Sequence, residues 1–334
     1  MTAVLFTCAG QRVDIVSAFA RAGATTVATD VDPLAPALWH ADHHALAPRI
    51  DDDAYVPALQ ALVDEHDVRL IVPLTDLDHV KLVRAREELG ALVLLPAEEV
   101  VRRVADKYTA HLFFEERGIP SPPSWLPHAV PDDARYPLLV KVREGFGSRH
   151  IFRAHDRLEL AFFLRYTTVD SFVQTACRGE EFSIDVFCDL DGRCLNAIPR
   201  TMIQSKGGES IKGMTIQDAD LIAFGARVAE ALGLVGPGTV QCFREADGRH
   251  EVTDVNPRFG GAFPLPLAAG SGYPELALAL ANGERPEPRL GRFRAGVLMT
   301  RFFSHLCLTA EDGGSLVPFA EELPEPVAGE PGEA

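Results

Sequence analysis

The chain has 334 residues, longer than one hydrophobic core usually organises, so two or three domains are expected. A formal net charge of -16 and a pI near 5.1 exclude nucleic acid or an anionic membrane as the main partner, while leaving room for local basic pockets that hold phosphate. Hydrophobic content of 47% with 24% charged residues is that of an ordinary soluble globular protein. The apolar stretch Ala3 to Cys8 is short and is followed by Arg12 and Asp14, so it reads as a strand entering a turn and not as a signal peptide. No apolar run approaches the roughly 20 residues of a membrane helix. The six cysteines, Cys8, Cys177, Cys188, Cys194, Cys242 and Cys307, form no C-x-x-C pair and read as reduced, mostly buried thiols of a cytoplasmic protein.

Residues 1 to about 105 alternate β-rich runs with helical patterns: 4–7, 13–22, 26–29, 55–65, 69–73, 79–89 and 92–95. That rhythm predicts a parallel sheet with helices on both faces. The turn Cys8-Ala9-Gly10-Gln11-Arg12 opens a helix whose free N–H groups could hold an anion, but it lacks the G-x-G-x-x-G of a dinucleotide site. Asp30 and Asp32 end a strand at the sheet's carboxyl edge, where ligands gather; turn formation before Pro33 accounts for them equally well. The His40-Ala41-Asp42-His43-His44 cluster follows no tight zinc-ligand spacing.

A helix from about Asp106 to Gly118 leads through Ile119-Pro120-Ser121-Pro122-Pro123, a stiff connector, into β-rich material at 138–142, 151–153, 172–175, 182–188 and 194–198, with a helix at 157–166. Lys141 projects from an apolar strand immediately before a glycine loop containing Gly145, Gly147 and Ser148. A lysine beside such a loop can meet phosphate oxygens while the loop's N–H groups close over them. Two further helices, at 218–232 and 274–282, flank a hairpin. The tail after Phe319 is rich in Glu and Pro, contains no Lys or Arg, and reads as disordered.

The hairpin carries the most chemistry. Alternate side chains of a strand share a face, so Asp254, Asn256 and Arg258 should point together, with Gln241 opposite them across the turn at Asp247-Gly248. Carboxylate and amide oxygens suit hard Mg²⁺, which usually completes its shell with water and substrate phosphates. An arginine beside them can clamp a phosphoryl group. A hairpin with a merely polar exposed face is the bland alternative.

The order of these features resembles the ATP-grasp superfamily, and within it single-module proteins similar to one synthetase half of the carbamoyl phosphate synthase large chain. The resemblance runs from Val4 to about Gly272 and rests on Ala9-Gly10-Gln11-Arg12-Val13, Asp106-Lys107, Lys141 with its glycine loop, Gln174 to Asp185, and Gln241 with Asp254-Val255-Asn256-Pro257-Arg258. It implies a fold of class α/β plus α+β: a pre-ATP-grasp parallel-sheet domain (1–105), an ATP-grasp N-terminal subdomain with a glycine lid (106–180), a C-terminal subdomain with the metal site (181–319), and an acidic tail (320–334). It also implies ATP and Mg²⁺ as cofactors, with Mn²⁺ a substitute. Lys107 and Lys141 stand where the family has its phosphate and adenine-side lysines, and Gly145, Gly147 and Ser148 where it has the phosphate lid. Gln174 takes the adenine-facing position. Thr175, Ala176 and Cys177 match the adenine-reading hinge, Glu181 the ribose-binding acid, Gln241, Asp254 and Asn256 the metal ligands, and Arg258 the residue bracing the transferred phosphoryl group. The family commonly has glutamate where Asp254 stands, and the shorter carboxylate favours monodentate geometry.

Arg200 and Lys206 fit a basic loop reaching phosphate or an acyl carboxylate, although ordinary surface charge fits equally. The expectation is an ATP-dependent carboxylate–amine ligase working through an acylphosphate, with catalytic residues Arg258, Lys206 and Arg200. Phosphorylation of bicarbonate or carbamate, and a non-catalytic ATP-binding regulator, are the rivals. Small-molecule carboxylate and amine substrates, a homodimer, and no nucleic-acid or membrane partner complete the reading.

Overall fold

The structure, a computed structural model, describes residues 1–145, 151–206, 209–302, 304–310 and 316–319, with only the backbone of Lys206 and Glu209. It divides into two compact units, Met1–Arg301 and a small one from Phe302 onward. In the larger unit the chain opens with strand β1 (Ala3–Thr7), helix α1 (Val13–Arg21), β2 (Thr25–Asp30), β3 (His43–Leu46), α2 (Tyr55–His66), β4 (Val68–Pro73), α3 (His79–Arg84), β5 (Leu92–Val93) and α4 (Glu98–Ala105). The strands form a parallel sheet in the order β3-β2-β1-β4-β5. Because the order reverses between β1 and β4, a crevice opens at their carboxyl ends.

Helices cover both faces, as the alternation predicts. On one, Ile15, Val16 and Phe19 of α1 are buried; on the other, Tyr55, Val56, Leu59 and Val63 of α2. The α1 face does not close on itself. Its core is continuous with Phe259, Phe263 and Tyr273 from far along the chain, and the rings Phe6, Phe19, Phe259 and Phe263 stand in edge-to-face succession at 5.2, 6.0 and 4.5 Å between centroids.

Helix α5 (Lys107–Glu116) starts where Asp106 accepts the amides of Tyr108 and Thr109 at 3.0 and 3.2 Å, an N-cap. The strands β6 (Ser124–Trp125), β7 (Leu138–Val142), β8 (Ile151–Ala154) and β9 (Ser171–Thr175) form an antiparallel sheet, order β6-β9-β7-β8, backed by α6 (Arg157–Tyr166). A second antiparallel sheet contains β10 (Glu180–Cys188), β11 (Cys194–Thr201), β14 (Gly236–Arg244) and β15 (His250–Asn256), order β11-β10-β14-β15. Its apolar face, with Phe182, Ile184, Val186, Val240, Cys242, Val252 and Val255, packs under α7 (Ala219–Leu232), which ends at Gly233 with φ +72°. Between them β12 (Gln204–Lys206) and β13 (Glu209–Met214) pair with each other, and β13 with β16 (Leu298–Thr300); helices α8 (Pro264–Ala268) and α9 (Tyr273–Ala281) follow β15 in the chain. The smaller unit contains a hairpin of β17 (Leu308–Ala310) and β18 (Leu316–Pro318). The predicted disordered tail, 320–334, lies outside the described residues.

The sequence patterns place most of the elements they foresee within a residue or two. Helix α3 stops at Arg84, short of the expected Leu89, and the strands β3, β6, β12, β13, β16, β17 and β18 and the helices α4 and α8 are additional. Arg200, expected in a loop, is the penultimate residue of β11 and only 3% exposed. The apolar neighbours Leu195, Ala197 and Ile198 hold that stretch in the sheet.

Candidate functional site

Side chains directly opposite one another in an antiparallel sheet share a face. Across the second sheet Arg200 pairs with Ser183, Ser183 with Gln241, and Gln241 with Asp254; one step along, Asp185 pairs with Thr239 and Thr239 with Asn256. The face opposite α7 is therefore a polar field. A β-bulge makes it so: Gln241 pairs with Asp254 but Cys242 with Val252, leaving Thr253 as the extra residue. Without it, strict alternation from buried Val252 would turn Asp254 into the core. Upstream of the bulge, His250 takes Arg244 Nε at 2.9 Å and packs on Phe224, away from Asp254.

The β6-β9-β7-β8 sheet and α5 contribute cations. Lys107 Nζ meets Asp254 Oδ1 at 2.6 Å. Its position is fixed from behind, since its amide donates to the Arg143 carbonyl at 2.9 Å and Arg143 also grips the Asp106 carboxylate. Lys141, 7% exposed, donates to Gln174 Oε1 at 3.1 Å, and Gln174 Nε2 donates to Ser124 Oγ at 3.0 Å. Burial lowers the Lys141 ammonium to about 8, with Asp254 opposing the shift and Lys107 adding to it. Burial acts to raise the Asp254 carboxyl, but Lys107 and Lys141 outweigh it and hold the group below the usual carboxylate range. Burial holds Glu181 above its ordinary value despite Arg200 and Lys141.

Arg200 does not reach out from this field. Its Nε donates to Asp185 Oδ2 at 2.7 Å with both side chains 4% exposed, and Thr239 Oγ1 donates to Asp185 Oδ1 at 3.0 Å. Asn256 Nδ2 lies 3.5 Å from Asp254 Oδ2, so those two point together as alternation predicts. Arg258 lies beyond the end of β15, where Nε donates to Asp76 Oδ2 at 2.8 Å and Nη1 to the Phe259 carbonyl at 3.2 Å. Of the hinge residues, Thr175 and Ala176 donate their amides to the Pro123 and Pro137 carbonyls at 2.9 and 3.1 Å. Cys177 Sγ lies 3.9 Å from Glu251, and burial raises its thiol to about 12. Gly145 is described; Gly147, Ser148 and the Lys206 side chain lie outside the described residues.

Other sequence readings resolve simply. The first-turn amide of Gly10 is taken by Asp30 Oδ2 at 2.8 Å, and Asp30 Oδ1 takes the amide of Asp32, so these aspartates build turns and occupy the anion position themselves. The histidine cluster disperses: His43 stacks on His66, His44 meets Trp39 at a tilt, and Asp42 accepts from Thr26. At the crevice, Asp76 and Gly260 escape sequence reasoning, and Arg12 enters it only within the Ala9-Gly10-Gln11-Arg12-Val13 motif, with no role given. Asp76 follows β4 and holds Arg258, and Arg12 donates to the Phe259 and Gly260 carbonyls. A Cβ on Gly260 would lie 2.5 Å from Thr239 Oγ1. The glycine pair Gly260-Gly261 after Arg258 was a signal of close approach.

Comparison with known proteins agrees with this geometry. Residues 4–94 match the family model "PylC-like, N-terminal domain", and residues 167–301 match "ATP-grasp in the biosynthetic pathway with Ter operon". The arginine-specific carbamoyl phosphate synthase large chain of Geobacillus stearothermophilus is 24% identical over 216 residues, 60% of this chain and 20% of that one. The chain thus spans about a fifth of that relative's length. The biotin carboxylase domain of Hydrogenobacter thermophilus 2-oxoglutarate carboxylase, solved with MgADP, ADP and bicarbonate, superposes with a TM-score of 0.72 at 18% identity, covering 89% of this chain and 73% of that one. The L-amino acid ligase of Bacillus licheniformis gives 0.67 at 18% identity, covering 88% and 78%. With two antiparallel sheets converging on one polar field behind a parallel-sheet domain, the chain has the fold of ATP-grasp proteins: a pre-ATP-grasp domain followed by an ATP-grasp portion. Its first domain is similar to PylC-like N-terminal domains and its later portion to the ATP-grasp domains of Ter-operon biosynthetic pathways, with weaker similarity to carbamoyl phosphate synthase large chains. No helix among the described residues is long and apolar enough to cross a membrane.

Proposed function

We propose that the protein is an ATP-dependent carboxylate–amine ligase that activates a small carboxylate as an acylphosphate and passes the acyl group to an amine, releasing ADP and phosphate. The observation that carries this reading is the meeting of Lys107 with Asp254, beside Lys141 and in line with Gln241 and Asn256. Two lysines face one ionised carboxylate flanked by amides. That donor set fits Mg²⁺, or Mn²⁺, arriving with nucleotide phosphates: one carboxylate and two amide oxygens form too weak a cage to hold the ion alone. Bound MgATP would supply the phosphoryl group and neutralise charge on it.

The chain's own groups do the rest. Lys141, oriented by Gln174, and Lys107, once freed from Asp254, are placed to hold phosphate oxygens, with Gly145, Gly147 and Ser148 as the lid. Thr175 and Ala176 fix the hinge, leaving the Cys177 amide, without a hydrogen-bond partner among the described residues, to meet an adenine edge; Glu181 receives the ribose. Arg258 braces the transferred group with Nη2, which has no hydrogen-bond partner among the described residues. Arg200 supports the field through Asp185, and Lys206 is assigned to the acyl carboxylate. We further assign functional divisions at about 105 and 180, and a homodimer in the cytoplasm; the six unpaired cysteines suit a reducing compartment.

The likeness to carbamoyl phosphate synthase favours a second reading, phosphorylation of bicarbonate or carbamate. One experiment separates these readings. With an ¹⁸O-labelled organic carboxylate and an amine, screened as amino-acid pairs, one label should appear in the released phosphate. Label from bicarbonate alone supports the second reading. AMP with pyrophosphate refutes both, and solvent oxygen alone indicates a simple ATPase.

A further inference from the structure

The first domain holds Arg258 in place through a residue with no role so far. Arg12, at the turn after β1, has a side chain only 15% exposed. Its guanidinium forks onto the Asp14 carboxylate, Nε to Oδ1 at 3.1 Å and Nη2 to Oδ2 at 3.0 Å. From that anchored position Nη1 donates to the Phe259 carbonyl at 3.2 Å and Nη2 to the Gly260 carbonyl at 3.0 Å. The same Phe259 oxygen accepts Arg258 Nη1, also at 3.2 Å. One carbonyl has two lone pairs, and here each meets a different guanidinium. Two like charges converge on it because each is neutralised from its own side, Arg12 by Asp14 and Arg258 by Asp76.

From this juxtaposition we propose that Arg12 is a positioning residue for Arg258: it fixes the backbone of the turn after β15, and so the direction of the free Nη2 edge. The role rests on the ligase reading for what Arg258 does, but the grip itself does not depend on it. Four donations in one plane require the fork of an arginine, and a lysine ammonium reproduces only part of them. The buried Phe259 ring prevents the turn from sliding, and Gly260, with no room for a Cβ, lets it lie against Thr239. The Gly260 carbonyl also accepts the Phe263 amide at 3.1 Å, so Arg12 shares the hold on that peptide plane and, with Arg258, the hold on the Phe259 carbonyl.

The test uses the full chain with Arg12→Ala and Arg12→Lys, and two readouts. Hydrogen exchange followed by mass spectrometry, with and without Mg²⁺ and a non-hydrolysable ATP analogue, should show peptides covering 256–261 exchanging at least about tenfold faster in Arg12→Ala, with β1, β2 and β4 still protected. Phosphate release from MgATP with the active substrate pair should show kcat reduced about tenfold or more, KM for ATP changed less than about twofold, partial recovery in Arg12→Lys, and rescue of Arg12→Ala by added guanidinium. Wild-type exchange at 256–261 in Arg12→Ala overturns the proposal, as does a raised KM with kcat unchanged. If Arg12→Ala does not fold, Arg12→Lys decides on the same criteria. If the wild-type protein releases no phosphate with any pair, the ligase reading fails while the exchange measurement still decides whether Arg12 holds the turn.

Discussion

Lys107 and Asp254 lie 147 residues apart in the chain and join at 2.6 Å across the gap between α5 and β15. The contact pre-positions both groups and engages Asp254 Oδ1, leaving Oδ2 beside Asn256 on the same face. Asp254→Ala should abolish Mg²⁺-dependent phosphate release, by on the order of 10²-fold or more, because it removes the only carboxylate of the proposed donor set. Asp254→Asn should be milder. Near wild-type release by a folded Asp254→Ala protein, checked by circular dichroism, would remove the metal assignment.

Lys141 gives a pH prediction. Its ammonium is lowered by burial to about 8, so below that pH the folded protein bears the full cost of a buried charge. As pH rises from about 8 toward the unfolded value near 10.4, the folded state is neutral while the unfolded chain still binds the proton, so this contribution to stability improves. Nucleotide affinity moves the opposite way, because the charge that meets phosphate is lost. Calorimetric titration with a non-hydrolysable ATP analogue should show affinity falling above about pH 8, and Lys141→Arg should flatten the fall. A wild-type affinity that stays constant to about pH 9.5 would contradict the placement.

Glu181→Ala should weaken analogue binding by a contact worth about 1 to 2 kcal/mol, through the lost ribose acceptor, without unfolding the sheet. The side chain is half-buried at one end of β10, opposite Phe243, where truncation leaves the α7 core intact. Unchanged affinity in the same titration would move the nucleoside elsewhere.

Arg200 should behave as a structural residue first. Arg200→Ala strands the Asp185 carboxylate in a nearly water-free setting, a loss of about 3 to 5 kcal/mol, visible as a lower urea midpoint. If the midpoint does not move while turnover collapses, the direct catalytic role expected from the sequence is restored.

Period-two alternation in the hairpin was enough to align Gln241, Asp254 and Asn256, and the order of lysines, acids and amides pointed to the superfamily. The reason Asp254 reaches that face was not legible, because a bulge at Thr253 is invisible to residue counting. Arg200 was misplaced because a lone arginine in an apolar run gives no hint that Asp185 waits 15 residues earlier on the next strand. Arg12 and Gly260 could not be linked at all, since 248 residues separate them and neither lies in a periodic pattern. Local pattern reveals faces; it does not reveal which distant face arrives.

Helix α9 lies against α1 and β4, with Tyr273, Leu276, Ala277 and Leu280 in the same core as Phe6 and Phe19. A segment from far along the chain thereby completes the wall of the parallel sheet. An expression fragment cut near residue 105 would carry a raw apolar face and is expected to aggregate. A graft of this first domain onto another scaffold would have to bring Tyr273–Ala281 with it, so recombination here needs two crossovers on the distal side, not one in the connector.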